Sequence, residues 1–385
     1  MSALRSVFLA SVTAAVLAAC GGGGSDTTPR AAVSSVQVMG DSLQDGGTYG
    51  FKFTVQGADS ALYVERVGLA YGTGRGCSFF AFTGATFAPR GVAGCKNYAI
   101  GGSVINGASS GLTAADPRIV GVQIAAATAA GNFSAGDLLV IDGGGNDAAA
   151  LIGAYLKMAS DGGVAYTGLL GTQLSAVQVG AAVGGGATGL AAAGGQYMAA
   201  LADTFYNTVK SGALDKGAQR VVLINIPTIT NTPRFQMVLD GIAAAYGGGA
   251  NGAGARAQSE AMFRGWVAAF NSKLAQRAAG EARVVLVDFA QALDDQIAHP
   301  AQFGVTNNKT PACPITGQGT DGLPTYTFPA CTDAALSTQT PPTGATGGAN
   351  WWKTYYFSDS FHPSPYGHQL AFQLIAKALA QAGWL

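Results

Sequence analysis

The sequence predicts an α/β fold, a doubly wound sandwich on a mostly parallel sheet. Four short apolar runs carry the first part of that expectation: Val36–Met39 as a first strand, then the continuous runs within Asp137–Asp142, Arg220–Ile226 and Arg283–Asp288. Runs without polar alternation suit strands buried on both faces of a parallel sheet. Between the later runs, Gly195–Ser211 and Ala255–Ala279 read as crossover helices, and Pro365–Ala382 reads as a final helix. In that last helix Leu370, Phe372, Leu374, Ile375 and Leu379 supply the apolar positions. Strand-like runs alternating with helical segments argue for βαβ units.

The N-terminus precedes the fold. Arg5 gives a positive start, and Val7–Ala19 is an apolar run of small residues. Thirteen residues are too few to span a bilayer as a helix, which takes roughly 20. Residues 1–19 therefore read as a secretory signal peptide. Its end, Leu17-Ala18-Ala19-Cys20, resembles a bacterial lipobox, which implies diacylation of Cys20 as the new N-terminus. The alternative is an ordinary cleavage after a small residue, with Cys20 incidental. Residues 20–33 then form a lipid-bearing, glycine-rich tether, and residues 34–385 the domain.

Beyond Cys20 the chain holds Cys77, Cys95, Cys313 and Cys331. An even number in an exported chain suggests disulfides, and four cysteines allow three pairings. The sequence-local pairs Cys77–Cys95 and Cys313–Cys331 are the expectation, each closing one surface loop. A metal site is disfavoured, because no close Cys-x-x-Cys or Cys/His spacing accompanies them.

Net charge is zero and only 11% of residues are charged, so no basic stripe exists to bind nucleic acid. The 57 glycines collect in loop-like runs such as Gly180–Gly195 and Gly247–Gly254. Three stretches break the βα repeat: Lys52–Ala93, Ala154–Gly194 and Pro300–Asn350. Long insertions on strand-end loops either wall a binding site or decorate the surface. No internal repeat and no second domain is evident.

Four segments hold candidate chemistry. Gly40-Asp41-Ser42-Leu43 follows the first apolar run and presents a serine at a strand end. It is not a Gly-x-Ser-x-Gly elbow, because Gln44 stands at the second glycine position. Asn97-Tyr98-Ala99-Ile100-Gly101-Gly102-Ser103 places paired glycines after an apolar strand, where an exposed N–H can face a ligand. Asp142-Gly143-Gly144-Gly145-Asn146-Asp147 sets an amide at the mouth of the sheet, where open α/β sheets bind ligands. Asp359-Ser360-Phe361-His362 puts a carboxylate three residues before a histidine. Pro363 and Pro365 keep His362 out of helix. A serine becomes a nucleophile when an oriented base takes its proton, and Ser42, Asp359 and His362 supply those parts. The other histidines read as structural: His299 in a loop, His368 on the surface or in the packing of the last helix.

Together these segments resemble the SGNH (GDSL) hydrolase family, in particular its exported bacterial branch of lipases, lecithinases and haemolysins. The resemblance spans about residues 34–385. It implies a three-layer α/β/α sandwich with a central, mostly parallel sheet and long loop insertions. It implies Ser42 as nucleophile, His362 as general base then acid, and Asp359 as the group orienting it. The oxyanion hole would be the N–H groups of Ser42 and Gly102 and the side chain of Asn146, with Gly101 the competing glycine. Asp45 matches an acidic position of the first block and reads as loop structure. The implied activity is hydrolysis of carboxylic esters outside the cytoplasm, with no cofactor and no metal. A phospholipase, a polysaccharide O-deacetylase or an acyltransferase could use the same set. The implied partners are an acyl-ester small molecule or lipid and, through Cys20, a bacterial outer membrane; without lipidation the protein would be secreted. The oligomeric state is not legible.

Overall fold

The computed structural model describes residues 32–385 apart from Ala130. The signal peptide expected at 1–19, Cys20 and the tether up to residue 31 lie outside the described residues. The strands are β1 (Ser35–Met39), β2 (Phe80–Phe82), β3 (Phe87–Pro89), β4 (Asp137–Ile141), β5 (Val221–Ile224), β6 (Val284–Val287), β7 (Gly317–Gln318) and β8 (Pro324–Thr325). The helices are α1 (Tyr63–Ala70), α2 (Val120–Thr128), α3 (Gly145–Leu156), α4 (Met158–Asp161), α5 (Val164–Leu170), α6 (Ala176–Gly184), α7 (Gly186–Gly212), α8 (Pro233–Ala245), α9 (Gly249–Ala278), α10 (Phe289–Ala298), α11 (Asp333–Thr338) and α12 (Pro365–Gln381).

β1, β4, β5 and β6 form a parallel sheet in the order β1-β4-β5-β6. Alternate residues enter two separate cores. Val38, Leu138, Val140, Val222 and Ile224 pack against α1 and α12. Met39, Leu139, Ile141, Val221 and Leu223 pack against α2, α3, α7 and α9. The result is a three-layer α/β/α sandwich, and burial on both faces explains why the central runs Leu138–Ile141 and Val221–Ile224 are continuously apolar, while the edge strand β1 carries Gln37, which donates to Asp137 Oδ1 at 2.9 Å. The stretch expected as a strand before Gly101 is a single parallel bridge, Val38 to Asn97, extended by Tyr98 N–H to Val38 O at 2.7 Å and Ile100 N–H to Gly40 O at 3.1 Å. It lies along the outer edge of β1 and brings the second motif beside the first.

Ala154–Gly194 corrects the sequence reading. The weak pattern there belongs to helices α4, α5 and α6 and the start of α7. Two of its glycines are close-packing positions: a Cβ on Gly194 would meet the Trp266 ring at 2.2 Å, and one on Gly189 would meet Ala182 O at 2.4 Å. The same holds in α9, where a Cβ on Gly252 would meet Ala243 O at 2.4 Å. Helices joined through small residues carry little amphipathic signal, and their stability comes from packing. No helix among the described residues is long and apolar enough to cross a membrane.

The insertions at 52–93 and 300–350 hold α1, the β2–β3 hairpin, the β7–β8 ribbon and α11. Disulfides join Cys77 to Cys95 and Cys313 to Cys331.

Candidate active site

The four motifs meet at the C-terminal edge of the sheet. Ser42 lies just past β1, Asn146 opens α3 after β4, and His362 precedes α12. The loop bearing His362 is shaped by its own carboxylate. Asp359 Oδ1 accepts the N–H groups of Phe361 at 2.8 Å and His362 at 2.6 Å, and Asp359 Oδ2 lies 2.8 Å from His362 Nδ1. With Nδ1–H donated there, Nε2 is left to accept, and it stands 2.8 Å from Ser42 Oγ. Ser364 caps α12 by accepting from Tyr366 and Gly367 N–H, with Pro365 at the first helical position, so the chain turns directly after the imidazole. Burial would raise the Asp359 carboxyl; the charge of His362 and the hydrogen bonds from His362 and Phe361 outweigh it and hold Asp359 below the ordinary carboxylate value.

The paired glycines differ in what they have to give. Gly101 N–H is donated to Asp45 Oδ2 at 2.8 Å. Gly102 N–H has no acceptor among the described residues, and Gly102 is exposed at φ +82°, a conformation that favours glycine. Ser42 N–H is likewise without an acceptor. Asn146 Nδ2 donates one hydrogen to Ser103 O at 2.9 Å and retains a second.

Below the serine lies a cluster of buried carboxylates to which sequence reasoning assigned no part in the site. Asp142 Oδ1 accepts Asp41 N–H at 3.0 Å and its Oδ2 accepts Tyr63 Oη–H at 3.0 Å. Burial raises Asp142 to about 6, and burial with the charge of Asp142 raises Asp41 well above its ordinary value. Asp147 accepts Ile105 and Asn106 N–H, each at 2.9 Å, and burial raises it to about 6. Asp45, read as loop structure, also holds Gly47 N–H at 2.9 Å and Thr48 N–H at 2.7 Å, so it ties the first motif to the second.

Two insertions reach the histidine. Phe53 stands 5.1 Å from the His362 ring and Phe328 5.7 Å, with Phe361 beside them. Thr54 Oγ1 donates to Pro363 O at 2.9 Å, and Val55 N–H donates to Ser358 Oγ at 3.1 Å, strapping the loop. The 154–194 segment meets the loop next to the site, where Asn106 Nδ2 donates to Thr172 Oγ1 at 2.7 Å. His368 is fully buried against Tyr63, 5.6 Å between ring centroids, and burial depresses it to about 3, so it is a packing residue. His299 is exposed at the end of α10.

The family model for GDSL-like lipases and acylhydrolases matches residues 36–375. The chain belongs to that family. Among solved structures, this GDSL-like chain is similar to the extracellular lipase from Streptomyces rimosus, at 14% identity over 90% of this chain and 100% of that one, with a TM-score of 0.39. No curated protein matches it.

Proposed function

We propose that this protein hydrolyses carboxylic esters through an acyl-enzyme on Ser42. The observation that carries this reading is the hydrogen-bonded line from Ser42 Oγ through the His362 ring to Asp359, at 2.8 Å on either side of the imidazole. His362 Nε2 takes the hydroxyl proton as Oγ attacks the acyl carbon. The oxyanion is met by Ser42 N–H, Gly102 N–H and the free amide hydrogen of Asn146; Gly101 is set aside because Asp45 already takes its N–H. His362 then returns the proton to the leaving alcohol, and water repeats the sequence on the acyl-enzyme. Asp359 holds the ring in the required tautomer throughout.

The finer assignment is an exported enzyme of the lecithinase and haemolysin branch, anchored to the outer membrane through a diacylated Cys20. The lipobox-like Leu17–Cys20 and two disulfides, which persist in oxidising compartments, support it. Its substrate is an acyl-ester small molecule or lipid.

Hydrolysis of p-nitrophenyl esters from acetate to palmitate, with Ser42→Ala alongside, tests the reaction. Activity lost in the variant supports it, and a wild type inert on every ester sinks it. Detergent-phase partitioning of the full chain, lost in Cys20→Ser, tests the anchor.

A further inference from the structure

The segment after the candidate nucleophile grips Gly101 from three sides. Asp45 Oδ2 accepts its N–H at 2.8 Å, Tyr49 Oη donates to its carbonyl at 3.0 Å, and the Phe53 ring lies 2.2 Å from where its Cβ would be. The Tyr49 contact governs the next residue. In a trans peptide the C=O and N–H point in opposite directions within one plane, and no peptide bond among the described residues is cis. The carbonyl bound by Tyr49 and the N–H of Gly102 belong to the same peptide unit. Holding the carbonyl therefore aims the N–H, and donation to the oxygen polarises the unit and strengthens that N–H as a donor.

We propose that Tyr49 is a positioning residue of the oxyanion site, acting through the Gly101 carbonyl on the Gly102 N–H. The proposal rests on the ester-hydrolase reading and extends it to a residue outside the four motifs. The Tyr49 ring is fixed among Phe51, Phe53, Phe82 and Phe87, with centroids 5.4 to 6.0 Å away. Burial, with the nearby charge of Asp45, pushes the phenol up to about 12, so the hydroxyl remains a donor at any working pH. A purely structural tyrosine would add stability without touching turnover.

Tyr49→Phe keeps the ring and removes only the hydroxyl. Three quantities are compared with wild type: kcat and KM on a p-nitrophenyl ester, the second-order rate of Ser42 phosphonylation by a fluorophosphonate, and the unfolding midpoint. The phosphonyl oxygen occupies the same hole as an ester oxyanion, so the second rate reads the hole independently of any substrate. Losing a whole oxyanion donor costs a hundredfold or more, and a donor that is misaimed but present should cost about tenfold in kcat. We expect that fall, a parallel fall in the phosphonylation rate, an unchanged KM and a nearly unchanged midpoint. Wild-type kcat and phosphonylation rate in Y49F, or a loss confined to KM or to the midpoint, would overturn the role of Tyr49 and leave the hydrolase reading standing. A wild type that neither cleaves esters nor is labelled at Ser42 would overturn both.

Discussion

A Cβ on Gly40 would stand 1.8 Å from Asp142 Oδ1. That oxygen accepts the Asp41 N–H, so the missing side chain at position 40 lets the buried carboxylate just past β4 brace the turn that carries Ser42. Gly40→Ala should displace the carboxylate, leave the Asp41 N–H unpaired and destabilise the fold by roughly 3 kcal/mol, combining overpacking with a lost acceptor. Urea unfolding measures the loss, and a variant as stable as wild type would show that the carboxylate moves freely.

The same carboxylate makes stability depend on pH with a definite sign. Asp142 is raised from 3.8 to about 6 in the folded protein, so between those values the native state binds more protons than the unfolded chain. Stability from this group is therefore full below about pH 4 and is lost as pH rises through about 6. The gap corresponds to about 3 kcal/mol. Asp142→Asn stays neutral, can still accept from Asp41 N–H, and removes that dependence. Its stability relative to wild type should rise by up to about 3 kcal/mol between pH 4 and pH 8. Denaturant titrations at the two pH values check this, and a constant difference would refute it.

His362→Ala should lower kcat by about a millionfold, as removal of the base does in a serine hydrolase acting as a unit. Its melting temperature should stay near wild type, because the ring sits at the edge of the core. Turnover surviving in this variant would transfer the base to another histidine. His368 is a poor substitute, being fully buried behind Tyr63.

The second disulfide bears on the site as well as on stability. Cys313 N–H donates to Ser358 O at 2.8 Å, next to Asp359, and Gln56 N–H donates to Cys331 O at 2.8 Å, close to Phe53. Peptide mapping without reductant should recover Cys313–Cys331 and Cys77–Cys95. Replacing Cys313 and Cys331 together by Ser should cost about 3 kcal/mol by loop entropy and raise KM as Phe328 loosens. A cross-linked pair such as Cys95–Cys313 would contradict the structure.

The parts of this molecule with strong local physics were legible in its sequence. Strands buried on both faces are apolar along their length, which marked the central runs ending at Ile141 and Ile224; the shorter runs at Met39 and Val287 mark the two edge strands. An Asp three residues before a histidine that is followed by prolines can fold back on it through one turn, and Asp359 does so within its own loop. Equal gaps of 18 residues made the local cysteine pairs the economical choice, and these are the pairs joined.

What only the tertiary structure decided involves groups far apart in sequence or hidden by small residues. Gly101 and Gly102 look alike on the chain; they differ because Asp45, 56 residues earlier, takes one N–H and leaves the other. Phe53 and Phe328 flank His362 only because two insertions fold back over it. Ala154–Gly194 read as loop because glycine signals turns, yet Gly189 and Gly194 let helices approach to contact. A local pattern records which backbone a residue prefers and which side must be dry. It carries no record of which distant acceptor claims a given N–H, and that choice separates an N–H tied into the framework from one left without an acceptor.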